Sequence, residues 1–429
     1  MFKNTKGFKL MERVLLVTIK LRTEQDNWSI EDLAQEMEEL IGATDTLVVD
    51  NITCNIDLPT PNFFIGKGKA EEISMIALDA DVDAVIFSHD LSGTQQRNLE
   101  DVIGRKTIDR TQLILDIFAH HAKSPEGKMQ VELAQLQYLM PRLLGKGLIL
   151  SRQGGGIGTS GPGETKLEID RRRIRTKVDK LTEDLRHVKL HRARARKQRK
   201  ENAVPSVALV GYTNAGKSTL LNALTSADTI VRNGLFTTLD PLSKALKLPN
   251  GENIVVSDTV GFLHNLPHNL VEAFKATLEE VIEADLLLHV LDVSHPKAVE
   301  HYKSVISVLE ELSADDKPIF TVLNKIDLVE DPALLRNCEA RYPESVLISA
   351  TTGKNLPGLL DKIQDKFKDA VATLHMRIPH TRMDLVSQFY KIGKVVDIQY
   401  QQKSIKITLN LPKVLLNKIL RDKDIEVIE

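Results

Sequence analysis

The sequence has few cysteines and no long hydrophobic run, and both features narrow the classes of protein it can represent. Its two cysteines, Cys54 and Cys338, lie far apart and match neither a disulfide framework nor a metal-binding spacing, which favours a reducing compartment. No segment approaches the roughly 18 apolar residues of a membrane-spanning helix, and the first residues lack the apolar stretch of a signal peptide. We therefore expect a cytoplasmic protein.

A large net charge is also absent, because 57 Lys and Arg nearly balance 59 Asp and Glu. This balance conceals a basic segment from Lys166 to Lys200, which holds 15 Lys or Arg against 5 Asp or Glu. No aromatic residue is interleaved in its last part, residues 189–200, so phosphate contacts are expected rather than base stacking. A merely solvated helix is the alternative. The candidate RNA contacts here are Arg192, Arg194, Arg196, Lys197, Arg199 and Lys200.

The hydrophobic periodicity divides the 429 residues into four segments. Residues 1–122 alternate apolar strands with helical patterns, which predicts an α/β domain with a largely parallel sheet. Residues 123–203 carry two apolar helical stripes and predict an antiparallel helical hairpin. Residues 204–372 again alternate strands and helices. Residues 373–429 predict a small α/β appendage with a β-hairpin and a helix that begins with a proline. The expected fold class is multidomain α/β.

The segment GYTNAGKS at 211–218 matches the pattern Gly-x-x-x-x-Gly-Lys-Ser between an apolar strand and a helical pattern. Its glycines leave room for backbone N–H groups to wrap phosphates at a helix N-terminus. Lys217 is expected to contact the β- and γ-phosphates, and the Ser218 hydroxyl to bind Mg²⁺. The predicted phosphate-binding residues are Gly211, Tyr212, Thr213, Asn214, Ala215, Gly216, Lys217, Ser218 and Thr219.

The motifs that follow the phosphate loop in the sequence indicate which base is bound. Asp258 opens the motif Asp-Thr-Val-Gly after an apolar strand and is expected to bind Mg²⁺ through a water. Asp327 closes Asn-Lys-Ile-Asp, and its carboxylate can accept two hydrogen bonds from guanine, whereas adenine has no matching donor pair. GTP is therefore the expected substrate. The remaining predicted nucleotide contacts are Asp258, Thr259, Val260, Gly261, Asn324, Lys325, Asp327, Ser349, Ala350 and Thr351.

Phe262 follows this Asp-Thr-Val-Gly motif at the position where many GTPases carry a glutamine that orients the attacking water. We expect slow unaided turnover, of order 10⁻⁴ to 10⁻² per second, and a partner that adds roughly 10³ to 10⁵. The simpler interpretation, that Phe262 packs in the core, is compatible with this. The expected catalytic residues are Lys217, Thr238 and Gly261.

Thr238 lies in the segment FTTLDP at 236–241, the candidate switch I. We expect it to contact Mg²⁺ and the γ-phosphate, with Thr237 as the alternative and Phe236 beside the nucleotide. The expected metal ligands are thus Ser218, Thr238 and, through water, Asp258. K⁺ is a second candidate cofactor, because Asn214 occupies a place from which some GTPases ligate a monovalent cation.

The two predicted helices of the hairpin are joined by SRQGGGIGTSGPGET at 151–165, six glycines in a connection longer than two helices need. A dinucleotide fingerprint is a weak interpretation, since no βαβ unit follows. A tip poor in side chains can lay its backbone against RNA phosphates, and a disordered connector is the alternative. The candidate RNA contacts in this loop are Arg152, Gly154, Gly155, Gly156 and Gly158.

The chain resembles the HflX family of ribosome-associated GTPases over nearly all its length. The matching segments include PNFFIGKGKAEEI at 61–73, SRQGGGIGTSGPGE at 151–164, FTTLDP and DTVGF. The resemblance implies binding to the large ribosomal subunit, splitting or rescue of stalled ribosomes, and hydrolysis stimulated by the ribosome. The chain is expected to act as a monomer. Two rivals are an ATP-driven RNA-remodelling enzyme that uses the N-terminal half and a GTP-loaded plug that needs no hydrolysis.

Overall fold

The computed structural model describes residues 11–23, 27–44, 46–142, 162–201, 204–225, 242–265, 267, 275–368, 371–412, 416, 419 and 424–428. They form three sheets and a long helical hairpin. No helix in these ranges combines the length and hydropathy that a bilayer crossing requires.

The N-terminal unit is a four-stranded parallel sheet flanked by helices, as predicted. Its strands are β1 (Glu12–Leu21), β2 (Thr46–Ile56), β3 (Ala84–Phe87) and β4 (Lys106–Ile108), in the order β2-β1-β3-β4. The helices are α1 (Ile30–Gly42), α2 (Lys67–Asp79), α3 (Gly93–Ile103) and α4 (Arg110–His121). Ser29 starts α1 through a capping box with Asp32, which fixes the end of the helix nearest the third unit.

The hairpin consists of α5 (Pro125–Arg142) and α6 (Pro162–Glu201). At 1.5 Å per residue α6 extends about 60 Å. The helices are joined by ion pairs from α6 to Glu132 and Glu126 of α5. The other face of α5 belongs to the N-terminal core, because Val131, Ala134 and Tyr138 are buried there. The predicted hairpin is therefore anchored in the first unit along its shorter helix.

The third unit is a six-stranded sheet in the order β10-β9-β8-β5-β7-β6, parallel except for β6. Its strands are β5 (Ser206–Val210), β6 (Leu242–Lys247), β7 (Asn253–Asp258), β8 (Leu286–Asp292), β9 (Ile319–Asn324) and β10 (Val346–Leu347). Its helices are α7 (Lys217–Thr225), α8 (Lys275–Glu283), α9 (Ala298–Glu311), α10 (Pro332–Arg341) and α11 (Leu356–Lys368). Parallel strands bring the sequence motifs at their carboxyl ends to one edge.

The C-terminal unit is an antiparallel sheet, β12-β13-β11-β14, with α12 (Met383–Ile392) packed on one face. Its strands are β11 (Val371–Pro379), β12 (Lys394–Tyr400), β13 (Ser404–Pro412) and β14 (Glu426–Ile428). The predicted hairpin corresponds to β12 and β13. The expectation that Pro412 starts a helix was wrong, because Pro412 pairs with Val371 and ends β13. Most of the remaining predicted helix lies outside the described residues.

Candidate nucleotide-binding site

The loop after β5 has the backbone that phosphate binding requires. Gly216 has φ +96°, and a Cβ there would lie 2.3 Å from the Asn324 side-chain nitrogen, so only glycine fits. Asn214 also has a positive φ, +59°. The loop leads into α7, whose first residue is Lys217. Backbone N–H groups at a helix N-terminus form an anion site, and this is the place where the sequence predicted one.

Lys217 is buried, only 6% exposed, and its ammonium donates to the carbonyl oxygens of Gly211 at 3.1 Å and Tyr212 at 2.8 Å. Burial lowers the pKa of Lys217 to about 8, and the charge of Asp258 partly offsets this. The two carbonyls fix the amine under the loop, where a bound phosphate would restore the full positive charge.

Ser218 and Asp258 meet at the same edge of the sheet, since Ser218 lies in the first turn of α7 and Asp258 ends β7. The Ser218 hydroxyl donates to Asp258 Oδ2 at 2.6 Å. A hydroxyl beside a carboxylate is the hard oxygen donor set that Mg²⁺ prefers, so these residues fit the metal. Within the described ranges, no three His, Cys, Asp or Glu side chains cluster as an alternative metal centre. Phe236, Thr237 and Thr238 lie outside the described residues.

Asn324 connects the phosphate loop to the base-binding motifs. Its side chain donates to Ala215 O at 2.8 Å and accepts from Ala350 N at 3.0 Å. Lys325 has φ +66° and pairs with Asp292 at 2.7 Å, while the Asp327 carboxylate stays exposed in the following turn. Ser349 is buried and accepts a hydrogen bond from Thr352 N at 3.1 Å. The phosphate loop, the Asn-Lys-Ile-Asp turn and the loop from Ser349 to Thr351 are thus joined through Asn324.

Some of the residues predicted to contact the nucleotide can do so only through their backbone atoms. The Thr259 hydroxyl donates to Leu209 O at 2.6 Å, and Val260 lies in the core. The Tyr212 side chain points away from the phosphate loop into the N-terminal unit, where it donates to Glu36. Thr219 is half-buried in α7 and Thr351 is exposed. The sequence motifs predicted nucleotide contacts at these positions but did not show where the side chains point.

Phe262 packs in the core, as one of the two sequence interpretations had it. It is 1% exposed, and its backbone pairs with the phosphate loop: Phe262 N donates to Gly211 O at 3.1 Å, and Thr213 N donates to Phe262 O at 2.8 Å. Gly261 is correspondingly close to the loop, because a Cβ there would lie 2.7 Å from Thr213 Cγ2 and 3.1 Å from Lys217 Nζ. No side-chain amide follows Gly261 to orient a water.

Only three of the candidate RNA residues have side chains that the structure describes. Arg192 is held by Glu126 at 2.7 Å, so its charge is committed to the hairpin. Arg194 and Lys197 are exposed on α6. The side chains of Arg196, Arg199 and Lys200 lie outside what the structure describes. The same holds for the whole loop that contains Arg152, Gly154, Gly155, Gly156 and Gly158.

Two buried histidines near the site predict acid sensitivity. Burial, with Lys217 nearby, lowers the pKa of His289 to about 3, and burial, with His295 nearby, lowers that of His301 to about 4. The unfolded chain takes up these protons near pH 6.5, whereas the folded protein does not, so stability falls as pH decreases below 6.5. From about pH 7.5 to 5 the two together should cost about 4 kcal/mol of unfolding free energy.

The loss of unfolding free energy between these two pH values is measured by urea unfolding at each of them. His289→Gln should reduce it by about half, because one of the two titrating groups is removed. His191→Gln is the matched control, since His191 is exposed on α6, and it should leave the loss unchanged. An equal loss in His289→Gln and the parent chain would contradict the assignment.

A parallel sheet with a phosphate loop, an Asp-Thr-Val-Gly segment and an Asn-Lys-x-Asp turn at its carboxyl edge defines a P-loop GTPase. Three family models match in succession: "GTP-binding GTPase N-terminal" over 31–119, "GTP-binding GTPase Middle Region" over 121–199 and "50S ribosome-binding GTPase" over 206–325. The chain belongs to the HflX family of GTPases. It binds guanine nucleotide and hydrolyses GTP.

Two relatives illustrate the similarity. GTPase HflX of Caldanaerobacter subterraneus subsp. tengcongensis is 46% identical over 396 residues, 92% of this chain and 90% of the relative. GTPase HflX of Escherichia coli K12 is 41% identical over 407 residues, 94% of each chain. Among solved structures, a GTP-binding protein from Sulfolobus solfataricus in complex with GDP is 26% identical, covering 83% of this chain and 98% of that one, with a TM-score of 0.43.

Proposed function

We propose that the chain is a GTP-hydrolysing factor of the cytoplasm that binds the large ribosomal subunit and splits or rescues stalled ribosomes. The observation that carries the proposal is the match of residues 206–325 to a domain family described as a 50S ribosome-binding GTPase. The basic helix α6, which extends from the same chain, suits a partner made largely of RNA phosphates. The four segments predicted from the sequence serve as its functional domains.

In this proposal the backbone from Gly211 to Thr219 wraps the phosphates, and Lys217 neutralises the β- and γ-phosphates from beneath the loop. Ser218 and Asp258 would hold Mg²⁺ together with Thr238, with Asp258 acting through a water. The metal, when bound, neutralises charge that develops on the phosphate oxygens. Gly261 donates its backbone N–H to the γ-phosphate, and Asp327 accepts the guanine donors. Asn324, Lys325 and the loop from Ser349 to Thr351 complete the base pocket.

A partner is expected to complete catalysis, because Phe262 is buried and offers no group to the attacking water. In comparable GTPases the missing group is worth roughly 10³ to 10⁵ in rate. The large subunit is the proposed source, either by supplying a polar group or by ordering switch I. Intrinsic hydrolysis is accordingly slow.

The surface of α6 suggests which basic residues face RNA. Lys189 and Arg192, near its C-terminal end, are bound to Glu279 at 2.6 Å and Glu126 at 2.7 Å. Toward the glycine-rich loop, Arg172, Arg175 and Lys180 are exposed, and none has a carboxylate partner among the described residues. Arg173 and Lys177 of the same half are paired with Asp170 and Glu132, so the uncommitted positive charge is that of these three residues. We propose that they contact rRNA together with Arg194 and Lys197.

A binding experiment tests this surface. Pelleting with purified large subunits, with the non-hydrolysable analogue GMPPNP bound, should show affinity falling by roughly 10³ or more between about 50 and 200 mM salt if some six phosphates are contacted. Arg172→Ala with Arg175→Ala should weaken binding and make the salt dependence less steep. Arg336→Ala, an exposed change on α10, is the control. A flat salt dependence in the parent chain contradicts the rRNA proposal.

K⁺ is a proposed second cofactor, ligated by the Asn214 side chain near the β/γ-phosphate bridge. Asn214 is exposed with φ +59°, so Asn214→Gly is compatible with this backbone conformation and removes the whole side chain, including its amide oxygen. Hydrolysis by the parent chain should be about tenfold faster in K⁺ than in Na⁺, a barrier difference of about 1.4 kcal/mol. The variant should hydrolyse GTP equally in both salts. Equal rates in the parent chain would end the K⁺ proposal.

A further inference from the structure

The last residue of α5, Arg142, is held by four hydrogen bonds of its guanidinium. Nη2 donates to Asp109 Oδ2 at 2.8 Å and to Leu91 O at 2.6 Å, and Nε donates to Gln96 Oε1 at 3.1 Å. Nη1 donates to Tyr138 O, one turn earlier in α5, at 3.0 Å. The guanidinium also lies 3.4 Å from the centroid of the Tyr138 ring. The end of α5 is therefore fixed to the N-terminal unit by charge-assisted hydrogen bonds.

Asp109 is the buried acceptor of this contact. Its side chain is 0% exposed, and as the N-cap of α4 its Oδ1 accepts from Gln112 N at 2.8 Å. Its Oδ2 accepts from Leu91 N at 3.2 Å as well as from Arg142. Burial raises the pKa of Asp109, and the Gln112 N–H and the Arg142 charge oppose this shift. Asp109 thus joins the start of α4, the loop after β3 and the end of α5 at one point.

The sequence of α5 explains why its end needs this support. Pro141 lies in the last turn, lacks a backbone N–H, and has a ring that crowds the carbonyl of residue 137. The regular hydrogen-bond ladder of the helix is thus interrupted just before Arg142. The bond from the guanidinium to the Tyr138 carbonyl compensates by capping this turn with a side chain. The direction in which the chain leaves α5 is consequently set by Arg142 together with its partners.

The first turn of α3 packs tightly against Arg142. A Cβ at Gly93, the first residue of α3, would lie 2.9 Å from Arg142 Cγ and 3.1 Å from Arg142 Cα. The backbone of Gly93 is helical, so the space and not the backbone conformation requires glycine here. A methyl group at Gly93 would therefore displace Arg142 without removing any of its hydrogen-bonding groups.

The other helix of the hairpin is attached further from this end. The ion pairs from α6 go to Glu126 and Glu132, both in the first half of α5. Among residues 134–142, the second half of α5, only Arg142 is charged, and it turns to the N-terminal unit. The polar contacts that fix the end of α5 therefore come from the N-terminal unit and not from α6.

We propose that Asp109 and Arg142 are positioning residues for ribosome splitting: they hold the end of α5 on the N-terminal unit and so set the direction in which the chain leaves it toward the glycine-rich loop. The proposal rests on the proposed function, in which this loop and α6 contact rRNA. Two RNA-binding elements act on one partner together only when their relative placement is fixed in advance. GTP hydrolysis without ribosomes involves neither residue.

Arg142→Gln and Gly93→Ala test this from two sides, because the first removes the guanidinium and the second displaces it. In each variant the rate of splitting intact ribosomes at saturating chain, followed by light scattering, should fall about tenfold. The concentration for the half-maximal rate should change by less than about twofold, because the basic helix and the GTPase unit are unaltered. Hydrolysis of GTP without ribosomes should stay at the parental rate.

Asp109→Asn is the conservative partner variant, because asparagine keeps the cap of α4 and removes only the charge that holds Arg142. It should slow splitting in the same direction as Arg142→Gln does. The double variant should be no slower than the slower single variant, since both residues act through one contact. Additive losses would mean that the two residues act separately and would contradict the proposal.

Ile19→Val is the stability control, since Ile19 is buried in β1 of the same unit and makes none of the contacts to Arg142. It should lower the melting temperature and leave the splitting rate unchanged. Glu132→Gln is the hairpin control, because it breaks an ion pair between α5 and α6 and leaves Arg142 in place. If either control slows splitting as much as Arg142→Gln does, general weakening suffices and the assignment to Asp109 and Arg142 is wrong.

Amide hydrogen exchange supplies a readout that needs no ribosome. The amides of residues 138–140, in the last turn of α5, should exchange about tenfold faster or more in Arg142→Gln than in the parent chain, whereas those of α1 should not change. Faster exchange without slower splitting, or slower splitting without faster exchange, would overturn the proposal. A parent chain that splits no ribosomes overturns the proposed function and this role with it. Splitting at the parental rate by Arg142→Gln overturns this role alone.

Discussion

Replacing Asp327 by asparagine is expected to weaken GTP binding by roughly 10³-fold or more and to create affinity for xanthosine triphosphate. The carboxylate offers two acceptors to the N1–H and the exocyclic amine of guanine, and an amide leaves one of these donors opposite another donor. Xanthine carries an oxygen in place of the amine, and it therefore matches the amide of asparagine. The turn itself should persist, because Asn324 and Lys325 hold it through Ala215, Ala350 and Asp292.

The change in base specificity of Asp327→Asn is measured by titrating the variant with GDP and with xanthosine diphosphate and comparing the two dissociation constants. Glu330→Gln is the control, since it removes an exposed carboxylate three residues further along the chain, just after this turn. It should leave both affinities unchanged. Unaltered GDP binding by Asp327→Asn would mean that the base is recognised elsewhere.

Lys217→Ala is expected to reduce GTP hydrolysis by about 10² to 10³ in kcat, because it removes a preorganised charged donor from the phosphates. Two backbone carbonyls hold the lysine under the phosphate loop, which places its ammonium for the phosphates. Lys247→Ala, an exposed change on β6, should hydrolyse GTP at the parental rate. Single-turnover hydrolysis on saturating large subunits separates loss of chemistry from loss of binding.

The same variant distinguishes a hydrolysing factor from a GTP-loaded plug. With GTP, Lys217→Ala should remain on large subunits, because a hydrolysing factor is released only after GTP is cleaved. Rapid dissociation of the GTP-loaded variant, at the rate of the parent chain, would favour the plug.

The placement of the candidate nucleotide-binding motifs was largely predictable from sequence, because each motif is local and follows a strand of one mainly parallel sheet. Gly216 illustrates why. Its positive φ and the close approach of Asn324 require glycine, and this requirement is visible in the sequence as the second glycine of the Gly-x-x-x-x-Gly-Lys-Ser motif. The same logic predicted the parallel N-terminal sheet, whose strands are apolar and whose helices begin with recognisable caps such as Ser29.

The contact between the N-terminal and third units was not predictable, because Glu36, Arg110, Tyr212 and His264, which hydrogen-bond across it, are widely separated along the chain and share no local pattern. Tyr212 in particular belongs to the phosphate-loop motif in the sequence, yet its side chain hydrogen-bonds to Glu36 in the N-terminal unit. The helix α5 was assigned only to the hairpin because its stripe toward α6 fits a helical seam. A second stripe, Val131, Ala134 and Tyr138, buries it in the first unit as well.

The C-terminal unit was predicted least completely, since β11 and α12 lack strong start signals. Strand β11 starts at Val371, two residues before the boundary at 373 that the sequence indicated. It forms the middle of the sheet with β13, which also explains why Pro412 is in a strand: proline at the last position of β13 leaves few ladder hydrogen bonds to lose.

GTP hydrolysis by the full chain, with and without purified large ribosomal subunits and at about 50 and 200 mM salt, tests most directly whether the ribosome completes the site. We predict slow hydrolysis by the isolated chain and stimulation of roughly 10³-fold or more on large subunits, much reduced at the higher salt. Rapid hydrolysis without a partner would contradict the role assigned to Phe262. An equally slow rate with and without large subunits would contradict the ribosome as the partner that completes the site.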